Sequence, residues 1–391
     1  MSNIRIAYDY HLAQGIGGIG EYSRGLLNSL CGVKYQEFDF FLFYNSFRAN
    51  FPTLPEPIKK RCRLITTRFP LPSIIPLSLS FKYKLLYPYL CRRHKINIFH
   101  GTEIVSLTRK NILSISTVAD VFFKINPDFT NNSHNKYMRK IFSSLNRYNS
   151  IIAMSSSTKN DLIKFNVKAE KIAVIYNGLN DIFLGFTNVG QEEKEKNSAE
   201  IKKKYSLPEE YFLYVGNFVP RKNIPRLIDI FYKYRKLRKI DIKLLLIGPP
   251  YGEDYLKVRA QVDKLKIEKD ILFMGCVTQE ELPYIYSNAK IFFFLSLYEG
   301  FGIPPLEAMA VGTPAIVADN SSLTELTKGY SFLVNPEDDQ QIFNAIDKIL
   351  NDRAYVKDIT LKASEYAHKF TWDRTARETL DLYKKVSGKI Y

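Results

Sequence analysis

The sequence predicts an α/β protein of two domains, each built on a parallel sheet. Three observations carry this. Short, continuous apolar runs such as Ile291–Leu295 end at turn residues, the pattern of strands buried on both faces. Helical periodicity follows such runs, as in Leu26, Leu27 and Leu30, or Leu227, Ile230, Phe231 and Tyr234. At 391 residues the chain is long enough for two cores. The polar stretch at 185–204 reads as a linker or solvated insertion between them.

In the first half, residues Asn3–Asp9 read as a strand. Gly15, Gly17 and Gly20 then match G-x-G-x-x-G and open a helix. That pattern suits a dinucleotide fingerprint, but Tyr10–Gln14 separate it from the strand, whereas a dehydrogenase turn follows its strand at once. Strands are expected at Glu37–Tyr44 and Cys62–Thr66. The stretch 69–95 mixes Phe81, Tyr83, Tyr87 and Tyr89 with Lys82, Lys84, Arg92 and Arg93. It suits either an anionic bilayer surface or an amphipathic packing helix interrupted by Pro88. Ile96–Phe99 is a strand ending at His100-Gly101-Thr102, and Ile112–Val118 is one followed by Ala119-Asp120. Polar residues just past strand carboxyl ends lie where open α/β sheets bind ligands; Asp120 also suits a helix or turn cap. Tyr137–Tyr148 reads as helical, Ser150–Met154 as a strand leading into a hydroxyl-capped helix, and Lys171–Tyr176 as the last strand of this half.

The second half repeats the pattern. The strand Tyr211–Val215 ends in Gly216-Asn217-Phe218-Val219-Pro220-Arg221-Lys222 before the helix Ile224–Leu237. Arg can bind phosphate through two parallel bonds, and Lys adds a compact charge. Strands follow at Lys243–Ile247, Ile271–Met274, Ile291–Leu295 and Ala315–Ala318, and after 331 the chain reads as mostly helical.

The most informative stretch is IFFFLSLYEGFGIPPLEAMAV at 291–311. A buried strand turns through Glu299-Gly300-Phe301-Gly302 into a helix opened by Pro304 and Pro305. Unpaired backbone N–H groups and the dipole at such a helix start favour an anion, phosphate above all. Glu307 falls in the first helical turn, where it can accept hydrogen bonds from a ribose diol; Glu299 stands on the loop.

Two glutamates with seven residues between them, around GFG and followed by VGTPAIVAD, resemble a large family of retaining, nucleotide-sugar-dependent glycosyltransferases, glycosyltransferase family 4. The resemblance runs from GGIGEY to the final helix. It implies the GT-B fold, two facing Rossmann-like domains with a cleft between them and a C-terminal helix crossing back. The expected divisions are 1–183 on the acceptor side, a linker at 184–205, a donor domain at 206–370 and the returning helix at 371–391. It implies Glu299, Arg221, Lys222 and Asp120 as catalytic residues. Arg221 and Lys222 neutralise the leaving diphosphate, Glu299 holds the donor sugar and Glu307 the ribose. Gly18, Gly216, Cys276, Val277, Gly300, Phe301 and Gly302 complete the donor site, with Cys276–Val277 against the base. Gly17, Gly20, His100 and Asp120 line the acceptor side. A nucleotide diphosphate sugar is the co-substrate, with no metal or other cofactor required. The acceptor is a glycan or lipid-linked precursor in surface polysaccharide (O-antigen or capsule) synthesis, and a GDP-mannose-type donor is favoured. Where many members have His-Asp, this chain has Ala119-Asp120, which removes a hydrogen-bonding, acid–base group.

Composition bounds the alternatives. Hydrophobic residues are 46% and charged residues 25%, as in ordinary globular proteins. The net charge of +16 has no nucleic-acid motif beside it, so nucleic acid is not expected as a partner. The cysteines are scattered, without metal-ligand spacing, and no run nears the roughly 18 apolar residues of a membrane span. The opening MSNIRIAYDY enters a strand directly, so no secretory leader is expected. The expectation is a cytoplasmic protein with peripheral contact to the inner face of an anionic membrane through 69–95. Two other classes remain open: a nicotinamide-dependent oxidoreductase using Gly15–Gly20, and a nucleotide-sugar-binding protein weakened by Ala119.

Overall fold

The computed structural model describes residues 3–14, 17–32, 37–47, 52–70, 81–104, 111–127, 138–139 and 141–388. Gly15, residues 71–80 and Tyr137 among the expectations above lie outside them. The chain forms two compact units, residues 1–178 with 371–391, and residues 179–370.

The first unit holds a seven-stranded sheet: β1 (Ile4–Asp9), β2 (Phe38–Asn45), β3 (Cys62–Thr67), β4 (Ile98–Gly101), β5 (Leu113–Val118), β6 (Ser150–Ala153) and β7 (Ile172–Val174). Its order is β3-β2-β1-β4-β5-β6-β7, and the strands pair in parallel. The second holds β8 (Tyr211–Val215), β9 (Lys243–Ile247), β10 (Ile271–Gly275), β11 (Ile291–Phe294), β12 (Ala315–Ala318) and β13 (Phe332–Val334), also parallel, in the order β10-β9-β8-β11-β12-β13. In both sheets the order reverses beside the first strand, which places the carboxyl ends of β1 and β4, and of β8 and β11, at the crevice where such sheets take ligands. The central runs are as buried as their composition requires: Ile291, Phe292, Phe293 and Phe294 are fully covered, as are Ile6, Ala7 and Tyr8.

Three segments depart from the sequence expectation. Residues 191–205, in the stretch read as a linker or solvated insertion, form a helix that is mostly exposed. It buries Ile201 and reaches its neighbours through Asn197 to the Tyr284 hydroxyl and Lys204 to Glu281, contacts between distant residues that polar composition cannot reveal. Phe332–Val334 forms a strand within the stretch expected to be helical; three residues are too few to show alternation. Pro88 does not interrupt its helix. The preceding turn, Lys82–Leu86, widens to a π-helix, with Tyr87 N donating to Lys82 O, and Pro88 sits in the first turn of Tyr87–Arg93, where its missing N–H costs nothing.

The closing helix, Trp372–Ser387, belongs to the first unit. Thr371 caps it by accepting from Arg374 N, and Trp372 packs onto Gly25 and Gly178. Thr375 Oγ1 donates to Tyr176 O at 2.8 Å, and Tyr383 reaches the Tyr8 hydroxyl under the sheet.

Candidate functional site

In the second unit the loops after β8 and β11 bring three charges together. A 3₁₀ turn at Pro220–Lys222 follows β8, and Leu297 N donates to Arg221 O at 2.8 Å, so the two loops are tied through backbone. Lys222 Nζ donates to Glu299 Oε1 at 2.7 Å; Arg221 bonds Oε2 and also the Tyr298 carbonyl at 3.1 Å. Glu299 and Lys222 are buried, and the ammonium lies 4.5 Å from the centre of the Phe294 ring. Burial alone would push the Glu299 carboxyl up, but Lys222 and Arg221 outweigh it and hold it below the usual carboxylate range. Two cations meet one carboxylate, which leaves a surplus positive charge at a strand end.

The loop itself is braced from β12. Glu299 N donates to Ser321 Oγ at 2.9 Å, and Ser322 Oγ donates to the carbonyls of Glu299 and Phe301 at 2.9 and 2.6 Å. Sequence reasoning missed both serines; the hydroxyl pair just past β12 and Asp319 was the available signal. Gly302 precedes the helix Ile303–Ala310 with φ +114°, and a Cβ there would meet Leu323 Cδ2 at 2.7 Å, so only glycine fits. Phe301 is buried, with its ring packed against Phe370. Because the helix begins at Ile303, Glu307 is its fifth residue, one position past the first turn expected for it. Its carboxylate is buried and accepts from the Tyr286 hydroxyl at 3.0 Å. Tyr286 carried no sequence signal. Gly216 stands directly after β8, while exposed Cys276 and half-buried Val277 follow β10.

The first-unit candidates are of mixed kind. Gly17, with φ +95°, precedes the helix Gly18–Gly32, and Gly20 is buried in its first turn. A separate helical turn, Tyr10–Ala13, stands between β1 and these glycines, so they do not form the strand-to-helix turn of a dinucleotide fingerprint. Asp120 Oδ1 accepts from Phe122 N at 2.9 Å, at the entry to the turn Phe122–Ile125, whose N-cap position is Val121. His100 corrects the expectation of an acceptor-side residue. It is fully buried, with Nδ1 2.6 Å from the Tyr383 hydroxyl and Nε2 2.9 Å from Thr117 Oγ1; burial pushes its pKa down to about 3. Both nitrogens serve the closing helix and β5, leaving none for an acceptor. Sequence reasoning also missed Asp9, buried at the end of β1 and paired with Lys82 at 2.7 Å.

The chain matches the glycosyl transferases group 1 model over residues 193–370 and the glycosyltransferase family 4 model over 16–181. The chain is a GT-B glycosyltransferase of that family. This glycosyltransferase is 27% identical over 309 residues to O-antigen chain mannosyltransferase B of Escherichia coli, covering 77% of this chain and 79% of that one. It is 27% identical over 252 residues to the serotype-specific mannosyltransferase WbdA of the same organism, but spans only 30% of that longer protein. Among solved structures it resembles sucrose-phosphate synthase from Thermosynechococcus elongatus, with TM-score 0.78, 20% identity and full coverage of both chains. Anabaena HepE in complex with UDP-glucose matches with TM-score 0.72 and 17% identity, covering 98% of this chain and 100% of that one. Family membership removes the oxidoreductase reading. Arg221, Lys222, Glu299 and Glu307 all fall inside the segment matched to group 1.

Proposed function

We propose that this glycosyltransferase moves a hexose, with mannose from GDP-mannose favoured, onto a hydroxyl of a surface glycan or its lipid-linked precursor, keeping the anomeric configuration. The bond from the acceptor oxygen to the anomeric carbon forms as the bond to the diphosphate breaks; the nucleoside diphosphate leaves with the electron pair, and its departing oxygen takes the proton of the acceptor hydroxyl. The carrying observation is the surplus positive charge of Arg221 and Lys222 over Glu299 where β8 and β11 end. Charge builds on the departing diphosphate, and preorganised cations stabilise it most in a water-poor site. The diphosphate competes with Glu299 for those cations, and the released carboxylate then turns to donor-sugar hydroxyls and orients them. Glu307, held by Tyr286, receives the ribose diol. Gly17, Gly20 and Asp120 line the acceptor side. The cations stand in for a metal, so none is required. Mannose and the O-antigen setting draw support from the relatives' names, and the nucleotide sugar from the HepE complex.

Thermal shift with GDP-, UDP-, dTDP- and ADP-sugars, followed by transfer assays with the best donor, tests this. Failure to bind any nucleotide sugar would overturn it, and NMR of the newborn linkage decides retention.

The stretch 69–95 divides in the structure. Tyr83, Leu86, Tyr87 and Leu90 are buried in the core, while Leu85 and Tyr89 are exposed beside Lys84, Arg92 and Arg93. No helix among the described residues is long and apolar enough to cross a membrane. We propose that the exposed face makes peripheral contact with the anionic inner surface of the cytoplasmic membrane, which places the enzyme in the cytoplasm. Sedimentation with phosphatidylglycerol vesicles, against phosphatidylcholine vesicles, tests it.

A further inference from the structure

The strand order fixes a path across the second sheet. Glu307 lies in the helix after β11, and Cys276–Val277 lie after β10. Between those strands stand β8 and β9. On the proposed function, a nucleoside held by its ribose at Glu307 and by its base at Cys276–Val277 must pass over the carboxyl ends of β8 and β9. Each of those ends runs into a glycine, Gly216 after β8 and Gly248 after β9. Gly216 N donates to Ile247 O and Gly248 N to Gly275 O, each at 2.9 Å. A Cβ on Gly248 would stand 2.1 Å from Gly216 O, so no side chain fits in this floor.

The loop after β9 rises beside that floor. Pro250 Cγ lies 3.8 Å from where a Cβ of Gly275 would be, so the loop passes close to the end of β10. The next residue, Tyr251, is 70% exposed, and its ring makes no aromatic contact or side-chain hydrogen bond among the described residues. Gly252 then turns the chain, with φ +96°, into the helix Glu253–Leu265. That helix is anchored beneath the loop by Tyr255, whose ring packs on Phe218 at 5.2 Å and on Phe273 at 5.6 Å. A large exposed ring thus stands on a loop that passes close to the end of the edge strand β10, where the base is expected.

We propose that Tyr251 stacks on the nucleobase of the donor and is a specificity-determining residue of this site. The inference rests on the nucleotide-sugar reading above and adds to it the group that recognises the base. An aromatic face favours a flat base over open solvent, and contributes nothing to binding of the diphosphate alone.

Calorimetric titration of the full chain with GDP, UDP and inorganic pyrophosphate tests it on four proteins: wild type, Tyr251→Ala, Tyr251→Phe and Glu307→Gln. Tyr251→Ala is expected to weaken the nucleoside diphosphate that the wild type binds by about tenfold or more. Tyr251→Phe keeps the wild-type affinity, and pyrophosphate binding is the same in the wild type and both Tyr251 variants. If Tyr251→Ala binds that nucleotide as the wild type does while Glu307→Gln binds it poorly, the stacking role is overturned and the nucleotide site survives. Equal losses for nucleotide and pyrophosphate in Tyr251→Ala, or a Tyr251→Phe variant as weak as Tyr251→Ala, also overturn it. A wild type that binds neither GDP nor UDP overturns the inference and removes its foundation.

Discussion

Each unit buries a carboxylate at the end of a central strand against a lysine, and the two sites differ in their charge balance. In the first, Asp9 meets Lys82, the hydroxyls of Tyr83 and Tyr87, and the N–H of His11. Asp9 and Lys82 pair one to one and are almost fully covered, while the neighbouring Glu103 carboxyl is pushed up by burial and by Asp9. In the second, Glu299 faces both Lys222 and Arg221, and the Arg221 side chain keeps 27% exposure. A balanced, sealed pair has nothing to offer a ligand, and removing one partner strands a buried charge. An unbalanced group with one arm toward water attracts an anion and can exchange its own carboxylate for it. Similar chemistry beside the point where each strand order reverses therefore supports structure in one unit and, as proposed, a binding site in the other.

The largest effect should come from breaking the balanced pair. Lys82→Ala leaves Asp9 buried and unpaired, and is expected to cost about 3–5 kcal/mol of stability, read by urea denaturation. Arg221→Ala should do the reverse, leaving stability nearly intact while removing about 2–4 kcal/mol of transition-state stabilisation, seen as a fall in kcat/KM. An Arg221 variant with wild-type turnover would place the arginine outside the site.

Acid sharpens the contrast. Burial opposes ionisation of Asp9, but Lys82 and the tyrosine hydroxyls outweigh it and hold its pKa below the usual range; Glu299 is held low in the same way by its two cations. A depressed folded-state pKa contributes stability above the unfolded value and loses it as pH falls through the folded one. The wild type should therefore lose stability on acidification below about pH 4. In Lys82→Ala only the tyrosine hydroxyls still oppose burial at Asp9, so that loss should shrink. Parallel slopes in the two proteins would mean that Asp9 does not carry it.

Smaller effects probe the second site and its partner residues. Glu307→Ala should weaken donor binding without altering the electrostatic pair at Glu299; unchanged affinity for every nucleotide sugar would refute its ribose role. If the cations take the place of a metal, as proposed, turnover should persist in EDTA, and its loss there would refute that part of the proposal. Ala119→His should raise turnover modestly if the missing imidazole limits catalysis, since the residue stands directly after β5 beside Asp120.

Much of the fold was legible because buried parallel strands leave continuous apolar runs. Ile291–Phe294 and Tyr211–Val215 are found where those runs predicted them. The glutamate spacing around Gly300 and Gly302 was legible too, since a strand, a tight turn and a helix start are all local. His100 misled because a polar residue past a strand looks the same in sequence whether it faces a ligand or a buried tyrosine. The helix at 191–205 was hidden because its anchors lie on distant segments.

The amino-acid order alone determined the two α/β units, the family and the identity of the charged residues in the donor half. Only the tertiary structure decided which charges meet. Lys222 and Glu299 are 77 residues apart, and nothing in local periodicity records that their side chains share one desolvated spot. Burial there turns ordinary surface chemistry into a site, because a charge out of water must be answered by whatever the fold places beside it.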